Sequence, residues 1–204
     1  MDEIVIRAMQ KWPNVPNVFG WLKLDRRGNW LVKSRGEGAG EPVFDRISNQ
    51  AVVDFIGRNY QPDAAGRWFF QNGPQRVFVT LDYTPLVYRL SGDRKSIDAH
   101  TGATPSTVQR AWIDDGGQVV FETDLGPGVA LDRDLPALLE KIAVVDGRPA
   151  DDESIESVAA GKGPALAIVL GKRRVPLGSI SAAEVAQRFG FEPSPRPAPG
   201  EREC

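Results

Sequence analysis

Apolar positions recur at helical spacing where the chain opens. Ile4, Ala8 and Met9 share one face of a helix read over residues 2–11, which Trp12 continues and Pro13 stops. Pro13 and Pro16 then hold the chain extended, because each restricts the residue before it. From residue 21 the period falls to two. Trp21-Leu22-Lys23-Leu24 and Trp30-Leu31-Val32-Lys33 alternate, and Asp25-Arg26-Arg27-Gly28-Asn29 between them supplies turn chemistry, with Gly28 suited to positive φ. Residues 34–42 read as a loop. A helix is predicted over about 46–59, with Val52, Phe55, Ile56 and Tyr60 as its apolar stripe and Asp45 or Ser48 as its cap.

The next block is β-rich. Trp68-Phe69-Phe70-Gln71 runs into Asn72-Gly73, a strong hairpin signal, and Arg76 to Leu81 alternates behind it. With Leu86 to Leu90 these segments read as a three-stranded antiparallel meander. Residues 91–106 are polar and read as a connector. Strands follow at Arg110–Ile113 and Val119–Glu122 around Asp114-Asp115-Gly116-Gly117, with a short strand at Val129–Leu131. Asp134 is placed to cap a helix bearing Leu135, Leu138, Leu139 and Ile142. A weaker helix over 152–160 ends at Gly161, and strands at 165–170 and 174–180 flank the turn Gly171-Lys172. Ser181-Ala182-Ala183-Glu184 is a capping box opening a helix that Gly190 closes. The proline-rich, charged residues 192–204 read as disordered.

The order of elements repeats. Trp21 through Gly28 resembles Trp112 through Gly117, and Gly73-Pro74 to Pro85-Leu86 resembles Gly163-Pro164 to Pro176-Leu177. The expected fold is therefore α+β: two similar small lobes of antiparallel hairpins, each packed with a helix, from an internal duplication. The boundaries read as an N-terminal lobe over 1–92, a connector over 93–106, a C-terminal lobe over 107–191 and a tail over 192–204.

Composition narrows the function classes. The 204 residues carry a net charge of −2 from 25 basic and 27 acidic side chains. Such a balance sets up no long-range field for nucleic acid or an anionic membrane. The single cysteine, Cys204, has no internal disulfide partner, no secretory leader is visible, and no apolar run spans a bilayer, so the expected compartment is the cytoplasm. One histidine, His100, and one cysteine are too few for the usual zinc sites, and no cofactor or metal is expected.

The stretches Gly20 to Trp30, Thr80 to Leu86 and Phe121 to Gly126 are similar to a proteobacterial family of unknown function, over about residues 13–140. That resemblance implies an α+β protein with repeated motifs, two small lobes and a role in signalling or ligand sensing. It carries no catalytic residues with it.

Few residues point to chemistry. His100 is the one side chain that titrates near neutrality, and Asp98 two positions before it is placed to orient it; the plain alternative is a structural histidine. Asp114-Asp115 and Asp151-Asp152 offer carboxylate pairs for a hard cation, but both sit where turns and caps favour aspartate. Gly36, Gly38 and Gly40 have G-x-G-x-G spacing rather than a dinucleotide fingerprint, and Gly161-Lys162-Gly163 lacks the hydroxyl of a P-loop. Arg26-Arg27 and Lys172-Arg173-Arg174 place cations at two hairpin tips, where equivalent tips on two lobes would grip a phosphate-bearing ligand. Trp21, Trp30, Trp68 and Trp112 lie in strands and are expected in the core. No nucleophile elbow occurs, and Cys204 sits on the tail.

The favoured reading is a non-enzymatic module that binds a small molecule or a protein segment, with Arg26, Arg27, His100, Lys172, Arg173 and Arg174 as candidate ligand-binding residues. A hydrolase using His100 as general base with Asp98 behind it is the alternative. A homodimeric assembly protein is the third.

Overall fold

A computed structural model describes residues 1–34, 42–144 and 147–202. The chain divides into two compact units, residues 1–85 with 190–204 and residues 86–189. It is an α+β protein with one sheet in each unit.

In the first unit the hairpin of β1 (Val18–Leu24) and β2 (Trp30–Lys33) forms as its alternation predicts. Its turn is built by Asp25, whose Oδ1 accepts the amides of Arg27 (2.9 Å) and Asn29 (2.8 Å), with Gly28 at φ 78°. A second hairpin joins β5 (Trp68–Asn72) and β6 (Gln75–Leu81). Strands β3 (Phe44–Arg46) and β4 (Tyr60–Pro62) are the sheet's ends, giving the order β3-β2-β1-β6-β5-β4. All neighbours are antiparallel except β1 and β6, which run parallel. Helices α1 (Glu3–Lys11) and α2 (Gln50–Arg58) contribute Val5 and Ile56 to the core.

Four consecutive residues of β5, Trp68 to Gln71, are buried, so both faces of that strand are covered. Phe70 packs edge-on against Phe55 of α2, with ring centroids 5.5 Å apart. On the other face Phe69 and Phe78 pack together, beneath the guanidinium groups of Arg76 and Arg67. The segment after Gly190 is anchored to this unit. Glu192 donates to Gly66 O (3.0 Å), Leu81 donates to Pro193 O (2.8 Å), and Asn17 donates to Arg202 O (3.0 Å). Arg67 bonds Glu201 at 2.7 Å and Asp63 at 2.8 Å. Residues 192–202 are therefore an ordered strap rather than a disordered tail. Its prolines bring no amide to satisfy, and the carbonyls of Pro193, Arg196 and Arg202 find donors in Leu81, Arg67 and Asn17.

In the second unit the hairpin of β9 (Val108–Asp114) and β10 (Val119–Thr123) continues into β11 (Gly126–Ala130), and β13 (Leu166–Leu170) turns into β14 (Arg173–Ile180). With β7 (Leu86–Leu90), β8 (Ile97–Ala99) and β12 (Ile142–Val144) the order is β12-β13-β14-β9-β10-β11-β7-β8. Helices α3 (Leu135–Leu139), α4 (Asp152–Ala159) and α5 (Val185–Phe189) belong to this unit.

The run β11-β10-β9-β14-β13-β12 reproduces β3-β2-β1-β6-β5-β4 strand by strand, including the one parallel pair, as an internal duplication would leave it. Asp114 builds the β9–β10 turn as Asp25 builds its own, accepting from Gly116 (2.9 Å) and Gln118 (2.8 Å), with Gly117 at φ 76°. The repeat aligns differently from the sequence reading. Matching the aspartates sets Lys23, not Trp21, against Trp112. The two-residue turns match Gly73 (φ 58°) with Gly171 (φ 59°), not with Gly163.

Other expectations are corrected. β6 lies beside β1, and β7 joins the second sheet beside β11, so no meander forms. The N-terminal unit ends at Pro85 rather than at 92, and the segment read as a connector over 93–106 carries β8. Asp45 lies in β3, and Asn49 caps α2 instead. Asp134 spends its carboxylate on the Leu90 amide, 2.9 Å away, and Ile142 belongs to β12 rather than to the preceding helix. Ser181 makes no side-chain cap; its hydroxyl donates to Asp115. Trp30, Trp68 and Trp112 are buried, whereas Trp21 is 42% exposed.

Tyr88 anchors the second unit. Its hydroxyl shares a 2.6 Å hydrogen bond with Thr123, and its ring lies over Gly128, where a Cβ would stand 2.5 Å from Cε2. We expect Gly128→Ala to cost about 1–3 kcal/mol through overpacking, read as a lower urea midpoint at unchanged slope. An unchanged midpoint would show that the ring can yield.

The strap should be sensitive to acid. The hydrogen bond from Arg67 holds Glu201 below its ordinary value of 4.5. A carboxylate depressed in the folded state stabilises fully above that ordinary value and loses its contribution as pH falls through the folded one. Protection factors at the Leu81 and Asn17 amides, taken relative to intrinsic exchange at each pH, should therefore fall in acid, and Glu201→Gln should abolish that fall.

Candidate functional site

The second unit holds a cavity of about 580 Å³ lined by three separate segments. The β7–β8 turn contributes Lys95, Ser96 and Ile97. The loop entering β9 contributes Thr104, Pro105, Ser106 and Val108. The β13–β14 hairpin contributes Leu170 to Arg173. The two hairpin tips meet closely: a Cβ on Gly171 would stand 3.3 Å from both Cβ and O of Lys95. Four strands separate β13 from β7 in the sheet order, so a strongly twisted sheet brings its distant strands together here.

Each wall is held by local bonds. In the β7–β8 turn, Asp93 Oδ1 accepts from the Ser91 hydroxyl (2.6 Å) and the Lys95 amide (3.0 Å), and Arg94 takes φ 56°. Arg94 is the one non-glycine residue at positive φ among the described residues, and such a conformation costs about 1–3 kcal/mol. In the loop, Asp124 accepts from the Ser106 hydroxyl (2.5 Å) and the Thr107 amide (2.9 Å), and these bonds hold its carboxyl below the usual range. Thr104 donates to Asp98 at 2.5 Å. Arg173 Nη1 donates to Ser106 O at 2.8 Å and so ties the hairpin to the loop.

Three cations, Lys95, Lys172 and Arg173, line the groove, and no carboxylate is among its lining residues. Among the described residues Lys95 and Lys172 form no ion pair. The floor is apolar. Ile97 and Leu170 are 1% and 3% exposed, Pro105 is buried and Val108 half-buried.

The structure scatters the other residues marked in the sequence. Arg174 follows Arg173 on a strand and so points to the opposite face, where it donates to Val144 O at 3.4 Å. Arg26 and Arg27 lie in the first unit, at the β1–β2 turn, and Arg26 sits over the Tyr83 ring at 4.6 Å. Their turn corresponds to Asp115-Gly116, not to the Lys172 hairpin, so the two basic tips are not equivalent. His100 accepts the Val87 amide on Nδ1 (3.2 Å) and donates its own amide to Val87 O (2.8 Å). An Nδ1 that accepts a hydrogen bond carries no proton, so it cannot be the N–H that a carboxylate orients in a base dyad.

The acid pairs take structural places. Asp115 accepts the Ala182 amide at 3.0 Å, and that bond chiefly depresses its carboxyl. Asp151 caps α4 through the Ser154 amide. Gly161-Lys162-Gly163 closes the same helix. The glycines at 36, 38 and 40 and Cys204 lie outside the described residues. Lys95 was missed because its turn reads as polar connector; the signal present was its two adjacent cations, Arg94-Lys95.

A family model described as a protein of unknown function (DUF2946) matches residues 1–196, and the chain belongs to that family. No curated protein matches it. Among solved structures, a DUF1285 family protein from Silicibacter pomeroyi superposes with a TM-score of 0.50 at 15% identity, over 84% of this chain and 87% of that one. A DUF1285 family protein from Shewanella baltica gives a TM-score of 0.37 at 12% identity, over 55% of this chain and 85% of that one. The first likeness shows the fold. No helix among the described residues is long and apolar enough to cross a membrane.

We expect His100→Ala to destabilise by about 1–3 kcal/mol, because the buried Val87 amide loses its acceptor. Urea denaturation measures this. An unchanged midpoint would free His100 from that structural part.

Proposed function

We propose that the chain is a non-enzymatic binding module in signalling or sensing, and that the groove of its second unit takes a small anionic ligand. The observation that carries this reading is the convergence of Lys95, Lys172 and Arg173 on one cavity with no carboxylate lining it. Like charges held together repel, and a chain with a net charge of −2 gains nothing in solubility by concentrating cations there. An anion relieves that repulsion. The positive φ at Arg94 supports the same reading, since strain in a turn persists where the surrounding structure requires it. The cavity volume is that of a small-molecule site rather than of a macromolecular interface.

Thermal unfolding with pyrophosphate, against sodium chloride at equal ionic strength, tests the proposal. A ligand that binds the folded state at one hundred times its Kd adds about 2.7 kcal/mol. Pyrophosphate should raise the midpoint in a saturable way, and the double variant Lys95→Glu, Lys172→Glu should lose the rise while unfolding cooperatively. A shift no larger than that of chloride would overturn the reading.

A further inference from the structure

We infer that the ligand of this groove is a phosphate monoester carried on an aliphatic body. The inference rests on the anion-binding reading above and goes on to name the chemistry of the ligand.

The head group follows from the donors. The hydroxyls of Thr104 and Ser106 are committed to Asp98 and Asp124, so they offer no proton to a ligand. What remains is the ammonium of Lys95, the ammonium of Lys172 and the N–H groups of Arg173 beyond the one donated to Ser106 O. Three cationic donors from two hairpins suit a group with three terminal oxygens and nearly two negative charges. A carboxylate, with two oxygens and one charge, leaves one of the cations unmatched.

The body follows from the floor. The cavity of about 580 Å³ is far larger than a phosphate ion, and its inner lining is Ile97, Pro105, Val108 and Leu170. Of that lining Val108 keeps exposed surface, as do the aliphatic stems of Lys95 and Lys172, and an alkyl chain covers what a bare anion would leave to water. No aromatic side chain is among the lining residues, so a nucleobase has no ring to stack on. The ligand chemistry is therefore amphiphilic, with the charge at the lysine ammonium groups and the chain along their stems and Val108.

Calorimetric titration of the full chain with ethyl, butyl and hexyl phosphate, inorganic phosphate and adenosine monophosphate tests this. Affinity should rise along the alkyl series, with hexyl phosphate at least tenfold tighter than ethyl phosphate and the nucleotide no tighter than ethyl phosphate. Lys172→Gln should weaken every phosphate probe at least tenfold. Val108→Ser should flatten the alkyl series while leaving inorganic phosphate unchanged, and the series on the unaltered protein stands if that variant fails to fold. A flat series would overturn the inference and leave the anion-binding reading in place, as would a nucleotide tighter than hexyl phosphate. Absence of binding by every phosphate probe would overturn both. Sedimentation with phosphatidylcholine vesicles containing phosphatidic acid separates two sources of the expected ligand. Binding to them assigns the monoester to a lipid, and hexyl phosphate binding without sedimentation assigns it to a soluble compound.

Discussion

Each six-stranded repeat hangs on one parallel pairing between strands far apart in sequence. In the first unit β1 lies beside β6, setting Leu22 against Val79 and Leu24 against Leu81. In the second, β9 lies beside β14, setting Ala111 against Leu177. The flanking hairpins are local and form from their own turns, but an isolated hairpin is marginal in water. Only the central pairing joins them into a sheet wide enough to bury Val79, Leu24 and Ala111. Parallel strands need a long crossover, and here it carries β2, β3, a helix, β4 and β5 in the first unit. That closure must be formed before it is rewarded, which places the slow step of folding at the parallel ladders, the one between β7 and β11 included.

The same fact explains what the amino-acid pattern reveals. Turn chemistry is local, so Asp25 to Asn29, Asn72-Gly73 and Asp114 to Gly117 mark their hairpins plainly. Pairing between hairpins leaves no periodic trace, so the sequence pattern sets β6 beside β7, whereas its free edge belongs to β1. The three-residue β3 is too short to show alternation, and Asp45 at its centre reads as the cap of the helix that follows. The strap failed differently. Its composition is that of a disordered segment, and what orders it is a handful of specific partners, Arg67 on Glu201 and Leu81 on Pro193.

The groove was half legible. Lys172 and Arg173 stand out as a charge cluster at a turn, but a cluster says nothing of which of its members share a face. Strand alternation sends Arg174 to the other side, and the partner that completes the groove, Lys95, comes from a hairpin 77 positions earlier in the numbering. His100 attracted attention as the lone histidine, yet its ring nitrogen does the work of a backbone carbonyl in holding Val87. Scarcity of a residue type directs attention to it without giving it a chemical role.

The duplication gives the groove an origin in structural terms. Both units own the same two-residue turn after their fifth strand, Gly73-Pro74 in one and Gly171-Lys172 in the other. In the first unit that turn is uncharged and faces α1: a Cβ on Gly73 would meet Ala8 at 3.9 Å. In the second unit the sheet is extended past β11 by β7 and β8, and the turn of that added hairpin brings Lys95 against Gly171. The extension and the lysine at the turn are both absent from the first sheet, and the groove needs both. A turn that serves packing in one copy carries charge in the other, so the anion-binding proposal rests on the difference between the repeats rather than on what they share.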